Sequence, residues 1–250
     1  MSNTDMFQQF VASMPARYAQ TFSGLDIQQH ASIVRARGQQ LVHVDRFASM
    51  RHQGTALCIV AQDRPGLLAT ISAALTSADL SIMEAEIFTR RVSASMSEAV
   101  DLFWVIRRAP LQHVEIVPSD VRRVAHYLVQ LLTHAATALP ARSSSIMRGA
   151  SAASARVRFI DDADGCFTTL EVEANDRSGL LLAICQTLFA AHLQIVGSHI
   201  KTQQGRVRGR FELIELDDQP IEPDRRQEIQ LAILSALDEL SRPTAAFASG

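Results

Sequence analysis

Lysine is almost missing from this chain. Of its 24 basic residues only Lys201 is a lysine, and the basic and acidic totals nearly cancel (24 − 26 = −2). A general binder of nucleic acid or of an anionic membrane carries a basic excess, and none is present. Long apolar runs are missing too. No stretch approaches the ~18 residues that a transmembrane helix needs. Met1–Phe10 has no basic segment leading into an apolar core, so no secretory signal is visible. Cysteine is scarce. Cys58, Cys166 and Cys185 are odd in number and lack the spacing of a metal site. Buried, inert thiols in a reduced, cytoplasmic protein are the expectation. The histidines are scattered, and His30, His43 and His52 have no metal spacing with cysteine or acid partners. No metal, no cofactor, no nucleic acid and no membrane is therefore expected. What the chain does have is bulk. Its 250 residues are 47% hydrophobic, enough to bury one large core or two small ones.

The organising feature is an internal repeat. Leu57 to Thr89 recurs as Leu170 to Thr202 at a constant offset of 113 with no gap. Asp63, Arg64, Gly66, Leu67, Leu68, Ile71, Leu75, Ala78, Leu80, Ile82, Ile87 and Thr89 all return as the same residue. That is a duplicated structural unit. Within each copy Leu57, Ile59 and Ala61 (or Leu170, Val172 and Ala174) alternate, which predicts a strand with one core face. An Asp-Arg-x-Gly turn follows. Leu67, Ile71, Leu75 and Ala78, matched by Leu180, Ile184, Leu188 and Ala191, then form one helical stripe. A second strand runs through Met83, Ala85 and Ile87, or Val196, Ser198 and Ile200. A third covers Ala99–Arg107 or Gly209–Leu216, and the loop before it is five residues longer in the first copy. Amphipathic helices at about Ser119–Leu139 and Pro223–Leu240 close the copies, and Pro223 suits a first helical turn.

The order βαββα is one strand short of a ferredoxin-like βαββαβ unit. Short alternating runs at Leu41–Phe47 and Arg156–Ile160 precede the two copies. Each predicts a leading strand, antiparallel to the one that follows, in the place the last strand normally fills. The fold class expected is α+β, with two ferredoxin-like units, each a four-stranded antiparallel sheet with two helices on one face. The domain division expected is a helical leader at 1–39, a first repeat at 40–139, a Ser- and Ala-rich linker at 140–155, a second repeat at 156–241 and a tail at 242–250.

The two turns, Asp63-Arg64-Pro65-Gly66-Leu67-Leu68 and Asp176-Arg177-Ser178-Gly179-Leu180-Leu181, resemble the turn of the ACT family. The flanking runs go further. Val157–Asp161 with Thr168–Val172, and Met14–Tyr18 followed by Ile27, His30 and Ala31, resemble the tandem ACT region at the C-terminus of the bacterial uridylyltransferase/uridylyl-removing enzyme family. The resemblance covers about residues 10–240. That family also carries nucleotidyltransferase and HD phosphohydrolase domains. This chain has no adjacent His-Asp pair and no Gly-Ser turn followed by an Asp-x-Asp metal pair. The resemblance therefore implies the sensor without the catalyst, and no catalytic residue is expected.

The turns themselves suggest chemistry. Each opens a helix, whose free N–H groups and positive end favour an anion. Gly66 and Gly179 let a ligand approach the backbone closely. Asp63 and Asp176 are expected either to cap the helix or to meet an ammonium group. The candidate ligand-binding residues are Asp63, Arg64, Gly66 and Leu67 in the first copy, and Asp176, Arg177, Gly179 and Leu180 in the second. The resemblance implies an amino-acid ligand, glutamine above all, held against a neighbouring repeat near Ile82–Glu84 or Ile195–Gly197. Pro65 favours the first turn, because Ser178 stands at the matching place in the second. Asp161, Asp162 and Asp164 read as a solvated hairpin turn, and Arg206, Arg208 and Arg210 as a solvated strand face. One asymmetry remains. The outer face of the first copy carries Cys58, Val60, Leu102 and Trp104, where the second has Glu171, Glu173, Arg210 and Glu212. The apolar face needs a cover, either the leader or a second subunit. The rival readings are a ligand-free interaction module that forms a homodimer or docks on a partner protein, and a transcriptional regulator. The second would show a helix-turn-helix or a basic stripe, and neither is found.

Overall fold

A computed structural model describes residues 3–49, 54–93, 95–112, 114–134, 155–161 and 165–241. Three helices lead: α1 (Asn3–Ser13), α2 (Ala16–Thr21) and α3 (Gly24–Arg37). Ser23 starts α3 because its hydroxyl accepts the Asp26 N–H (3.3 Å) while the Asp26 carboxylate takes the Ser23 N–H (3.1 Å), a reciprocal capping box. The first repeat then runs β1 (Val42–Phe47), β2 (Thr55–Gln62), α4 (Leu67–Ser77), β3 (Leu80–Ser93), β4 (Met96–Arg107) and α5 (Pro118–His134). The second runs β5 (Arg156–Asp161), β6 (Thr168–Asn175), α6 (Leu180–Ala190), β7 (Leu193–Gln203), β8 (Arg206–Glu215) and α7 (Pro223–Glu239). The expected extension of α5 to Leu139, most of the 140–155 segment, residues 242–250, and Asp162 and Asp164 lie outside the described residues.

The leading strands lie where the alternating runs put them. Val42 faces Ala61 and Phe47 faces Ala56; Arg156 faces Glu173 and Asp161 faces Thr168. Each repeat is thus a ferredoxin-like sheet whose closing strand comes first in the chain.

The two sheets are not separate. They form one eight-stranded antiparallel sheet in the order β1-β2-β4-β3-β7-β8-β6-β5. The seam is β3 against β7, from Glu84 opposite Lys201 to Phe88 opposite Gly197. In each repeat the strand after the first helix, β3 or β7, would otherwise be an unpaired edge, and the two edges satisfy one another. The offset of 113 maps residue 86 onto 199, and Glu86 stands opposite His199. That pair marks the pseudo-twofold point of the molecule, with Glu86 Oε1 and His199 Nδ1 2.9 Å apart. Matching register shifts at Ile82/Glu84 and Ile195/Gly197 place a bulge on either side of it.

Two cores flank the sheet. On the helical face Leu57, Ile71, Leu75, Phe103 and Leu128 pack with Leu170, Ile184, Leu188, Phe211 and Ile233 in one continuous cluster, and α4 lies against α6. On the other face α1–α3 cover the first repeat. Phe10, Met14, Tyr18, Phe22, Ile27 and Ile33 enclose Cys58, Val60, Phe88, Leu102 and Trp104. The leader is therefore the cover that the apolar strand face requires. Leu102 and Trp104 are fully buried, and the indole N–H reaches the Ser49 hydroxyl at 3.1 Å. Full burial of a side chain such as Leu102 or Phe88 stabilises by about 1.5–3 kcal/mol.

Arg17 of α2 carries the leader across the seam. It donates to the Glu86 carboxylate (3.2 Å) and the Ile87 carbonyl (2.7 Å) in the first repeat, lies 3.6 Å from Glu212 in the second, and sits 4.4 Å over the Phe88 ring. Glu212 is consequently half-buried, whereas Arg210 is exposed. Two of the three thiols are buried as expected, and the third is not. Cys58 and Cys185 are buried, and burial pushes both up from the ordinary range; Cys166 is exposed.

Candidate functional site

The turn Asp63-Arg64-Pro65-Gly66 hands β2 to α4. Gly66 stands at the helix N-cap with φ +78°. That is left-handed backbone, which a Cβ resists, so glycine is required here by conformation. No side chain caps α4. Of the two roles expected of Asp63, it does not take capping. Its carboxylate accepts the Thr89 hydroxyl of β3 (3.0 Å) and the Gln194 amide of β7 (3.4 Å), which ties the turn to both repeats. Burial pushes the Asp63 carboxyl up from its ordinary value, against the pull of these hydrogen bonds. Leu67 N–H turns back onto the Arg64 carbonyl (3.2 Å). The N–H groups of Leu68 and Ala69 have no backbone partner among the described residues. They are the open donors at the positive end of the helix. The Arg64 guanidinium donates to the Leu132 carbonyl (3.3 Å) and so fastens the turn to α5.

Beneath the turn lies a cavity of about 20 Å³, room for a single water. The first repeat lines it with the turn, Ile87, Thr89, Ala99 and Asp101; the second lines it with Cys185, Phe189, Leu193, Gln194 and Ile195. The neighbouring strand therefore contributes Leu193–Ile195, slightly before the expected Ile195–Gly197. An aromatic ring from the other repeat stands beside the turn. A Cβ built on Gly66 would lie 2.9 Å from Phe189 Cδ2. The offset places Thr76 at the matching position in the first repeat.

The second turn has the same backbone and different surroundings. Gly179 stands at φ +80°, Leu180 N–H returns to the Arg177 carbonyl (3.1 Å), and the Arg177 guanidinium reaches the Ser241 hydroxyl. Burial raises the Asp176 carboxyl as it does Asp63. Among the described residues no other part of the fold lies within 4 Å of a Cβ built on Gly179. The first turn is walled by the other repeat; among the described residues the second has no such wall.

Asp101 was not singled out from sequence. It sits on β4 opposite Ile87, between Ala99 and Phe103 on the core-facing side. It is 1% exposed, and its Oδ1 has no hydrogen-bond partner among the described residues. Desolvation, together with the like charge of Asp63, pushes its carboxyl well above the usual carboxylate range. One signal was available: a carboxyl that interrupts an otherwise apolar inward alternation. Phe189 and Gln194 had no such signal, because they reach this turn only through the β3–β7 seam.

Two other polar clusters are internally satisfied. Glu84, Glu86 and His199 bring potential cation-ligating atoms within 4.8 Å of one another, but Arg17 already supplies positive charge at Glu86. Arg206 and Arg208 lie 3.1 and 3.6 Å from Glu173, and Arg158 pairs with Glu171, as a solvated strand face does. Among the described residues no helix is long and apolar enough to cross a membrane.

No protein-family model matches the chain. It is 30% identical over 244 residues to a bifunctional uridylyltransferase/uridylyl-removing enzyme of Caulobacter vibrioides, covering 94% of this chain and 25% of the relative. It is 26% identical over 236 residues to that of Phenylobacterium zucineum, covering 93% of this chain and 25% of the relative. The chain thus spans about a quarter of the length of these curated relatives. Among solved structures, an aspartate kinase from Synechocystis overlaps 73% of this chain and 28% of its own at 14% identity and a TM-score of 0.41, too distant a likeness to carry weight.

Proposed function

From its similarity, over nearly its whole length, to the C-terminal quarter of the uridylyltransferase/uridylyl-removing enzymes, we propose that this chain is a regulatory ACT module that senses an amino acid, with glutamine the first candidate, and performs no catalysis itself. The observation that carries the reading is the cavity at the first turn, walled by both repeats and supplied with open helix donors. A ligand carboxylate suits the N–H groups of Leu68 and Ala69, where backbone and helix dipole favour an anion. Asp63, Arg64, Gly66 and Leu67 shape that place. Asp176, Arg177, Gly179 and Leu180 repeat the backbone without the walls, so the second site is the weaker one.

At about 20 Å³ the cavity is too small for an amino acid. Binding has to displace Phe189, which belongs to the other repeat and is 40% exposed. Its ring can swing into solvent at modest cost. Occupancy at the turn of one repeat is thereby coupled to α6 of the other, and a ligand shifts the chain toward an open arrangement by its differential affinity for it. The response is a change of shape or of affinity for a partner protein, in amino-acid or nitrogen metabolism.

The small size of the cavity also favours a second reading, a ligand-free ACT module that dimerises or docks on an enzyme. Calorimetric titration with each of the twenty amino acids separates the two. The sensor reading expects saturable heat with glutamine or a close analogue. Absence of binding by all twenty overturns it in favour of the docking module.

A further inference from the structure

Two carboxyls face the cavity at the first turn, Asp63 and Asp101. The other charged lining residue, Arg64, is fastened to the Leu132 carbonyl. From α6 only the Cys185 thiol is polar, and it is buried. From β3 and β7 come Ile87, Thr89, Leu193, Gln194 and Ile195, all uncharged. Asp63 is satisfied by Thr89 and Gln194. Asp101 is not, since its Oδ1 is buried without a partner while the Phe88 N–H serves the carboxyl from the strand side. A buried carboxyl with an unmet oxygen costs stability wherever it has no use.

We propose that Asp101 is the residue that recognises the ligand's α-ammonium group, and that it releases its own proton to solvent when the ligand binds. The inference rests on the amino-acid reading of this site. A zwitterion would span the cavity, with its carboxylate on the Leu68 and Ala69 N–H groups and its ammonium between Asp101 and Asp63. Without ligand, burial and the facing Asp63 favour the neutral acid at position 101. A bound ammonium supplies the missing positive charge and reverses that preference. The step balances: Asp101 carboxylic acid plus ammonium gives a carboxylate–ammonium pair plus a free proton. The second repeat has no such reader. Gly209 stands opposite Ile200 there, as Asp101 stands opposite Ile87 here. The zwitterion is therefore recognised at one turn of the two, whatever the similarity of their loops.

The test is calorimetry on the full chain at neutral pH, with glutamine and with glutaramate, which is glutamine without its amino group. Each titration is run in phosphate and in Tris, whose ionisation heats differ, so that released protons are counted. Wild type is expected to release protons on binding glutamine and none on binding glutaramate. Asp101→Asn, which keeps the size of the side chain, is expected to release none and to bind glutamine roughly 10- to 100-fold more weakly, the loss of a hydrogen bond to a charged group. Its affinity for glutaramate should not fall. If Asp101→Asn binds glutamine as wild type does, or releases the same proton, the assignment is wrong while the sensor reading survives. If wild type binds no amino acid, both fall. Should the variant fail to fold, the wild-type infrared difference spectrum decides, since loss of a protonated-carboxyl band on glutamine binding supports the proposal and its persistence overturns it.

Discussion

Gly66 and Gly179 give a controlled comparison at the scale of single residues. Both hold left-handed backbone, at φ +78° and +80°, and differ only in what lies beside them. A Cβ at Gly66 meets the Phe189 ring at 2.9 Å, whereas one at Gly179 meets nothing within 4 Å. Left-handed backbone costs a non-glycine residue roughly 1–2 kcal/mol. Gly179→Ala is expected to lose about that much, and Gly66→Ala more, by the cost of moving the ring. In a Phe189→Ala background the two substitutions should cost the same. Urea unfolding of the three single and two double variants measures this, and an unchanged difference in the Phe189→Ala background would remove Phe189 as the gate. The sequence made both glycines visible as turn residues. It did not reveal which was enclosed, because the enclosing ring lies 123 positions further along (189 − 66 = 123). Asp63 shows the same limit: capping the helix or meeting an ammonium group were the roles expected of it, and neither pointed to its two partners on distant strands.

Among the elements, the seam and the leader carry the consequences. Glu86 and His199 occupy equivalent positions in the two repeats, yet one is an acid and the other a base, so the pseudo-twofold point is held by an ion pair when the imidazole is charged. Hydrogen bonding to Glu86 raises the His199 pKa above its ordinary 6.5. A group whose folded-state pKa is raised stabilises the fold below its unfolded pKa and loses that contribution as pH rises through the folded value. The seam should therefore be firmer below about pH 6.5 and loosen above it. His199→Gln should flatten this part of the stability–pH profile. A profile identical to wild type would show that the pair contributes nothing, the common outcome for half-exposed ion pairs.

The leader is the other such element. Tyr18 is fully buried among Phe10, Phe22 and Phe88, and its hydroxyl lies 2.8 Å from His30 Nδ1. Tyr18→Ala is expected to cost about 3–5 kcal/mol, the range for large aromatic truncations in a core. Thermal or urea unfolding, with Trp104 fluorescence as the probe of the covered face, checks this; a loss below 1 kcal/mol would mean that the leader is not a structural cover. The need for a cover was legible in Cys58, Val60, Leu102 and Trp104, which stand where the second copy has Glu171, Glu173, Arg210 and Glu212. The choice between the leader and a second subunit was not, because a helix facing an apolar sheet has the same pattern in either case.

At the scale of the whole molecule, duplication explains what sequence revealed and what it hid. The constant offset made both copies readable together, including the leading strands, whose alternation is weak in either copy alone. It could not reveal that the copies fuse through β3 and β7. Edge pairing is written in backbone groups, and Glu84–Phe88 or Gly197–Lys201 would look the same on a free edge. That fusion creates the site, because Phe189, Gln194 and Ile195 reach the first turn only when the sheets are continuous. The central claim is that an amino acid enters there. Ligand that binds the folded state alone adds about 2.7 kcal/mol of stability at ~100 times its Kd. The direct measurement is the thermal midpoint of wild type and of Gly66→Val, each with and without saturating glutamine. The midpoint of wild type should rise by several degrees, and that of Gly66→Val should not respond. A wild-type midpoint unmoved by glutamine or any other amino acid, or an equal rise in both chains, would contradict the account.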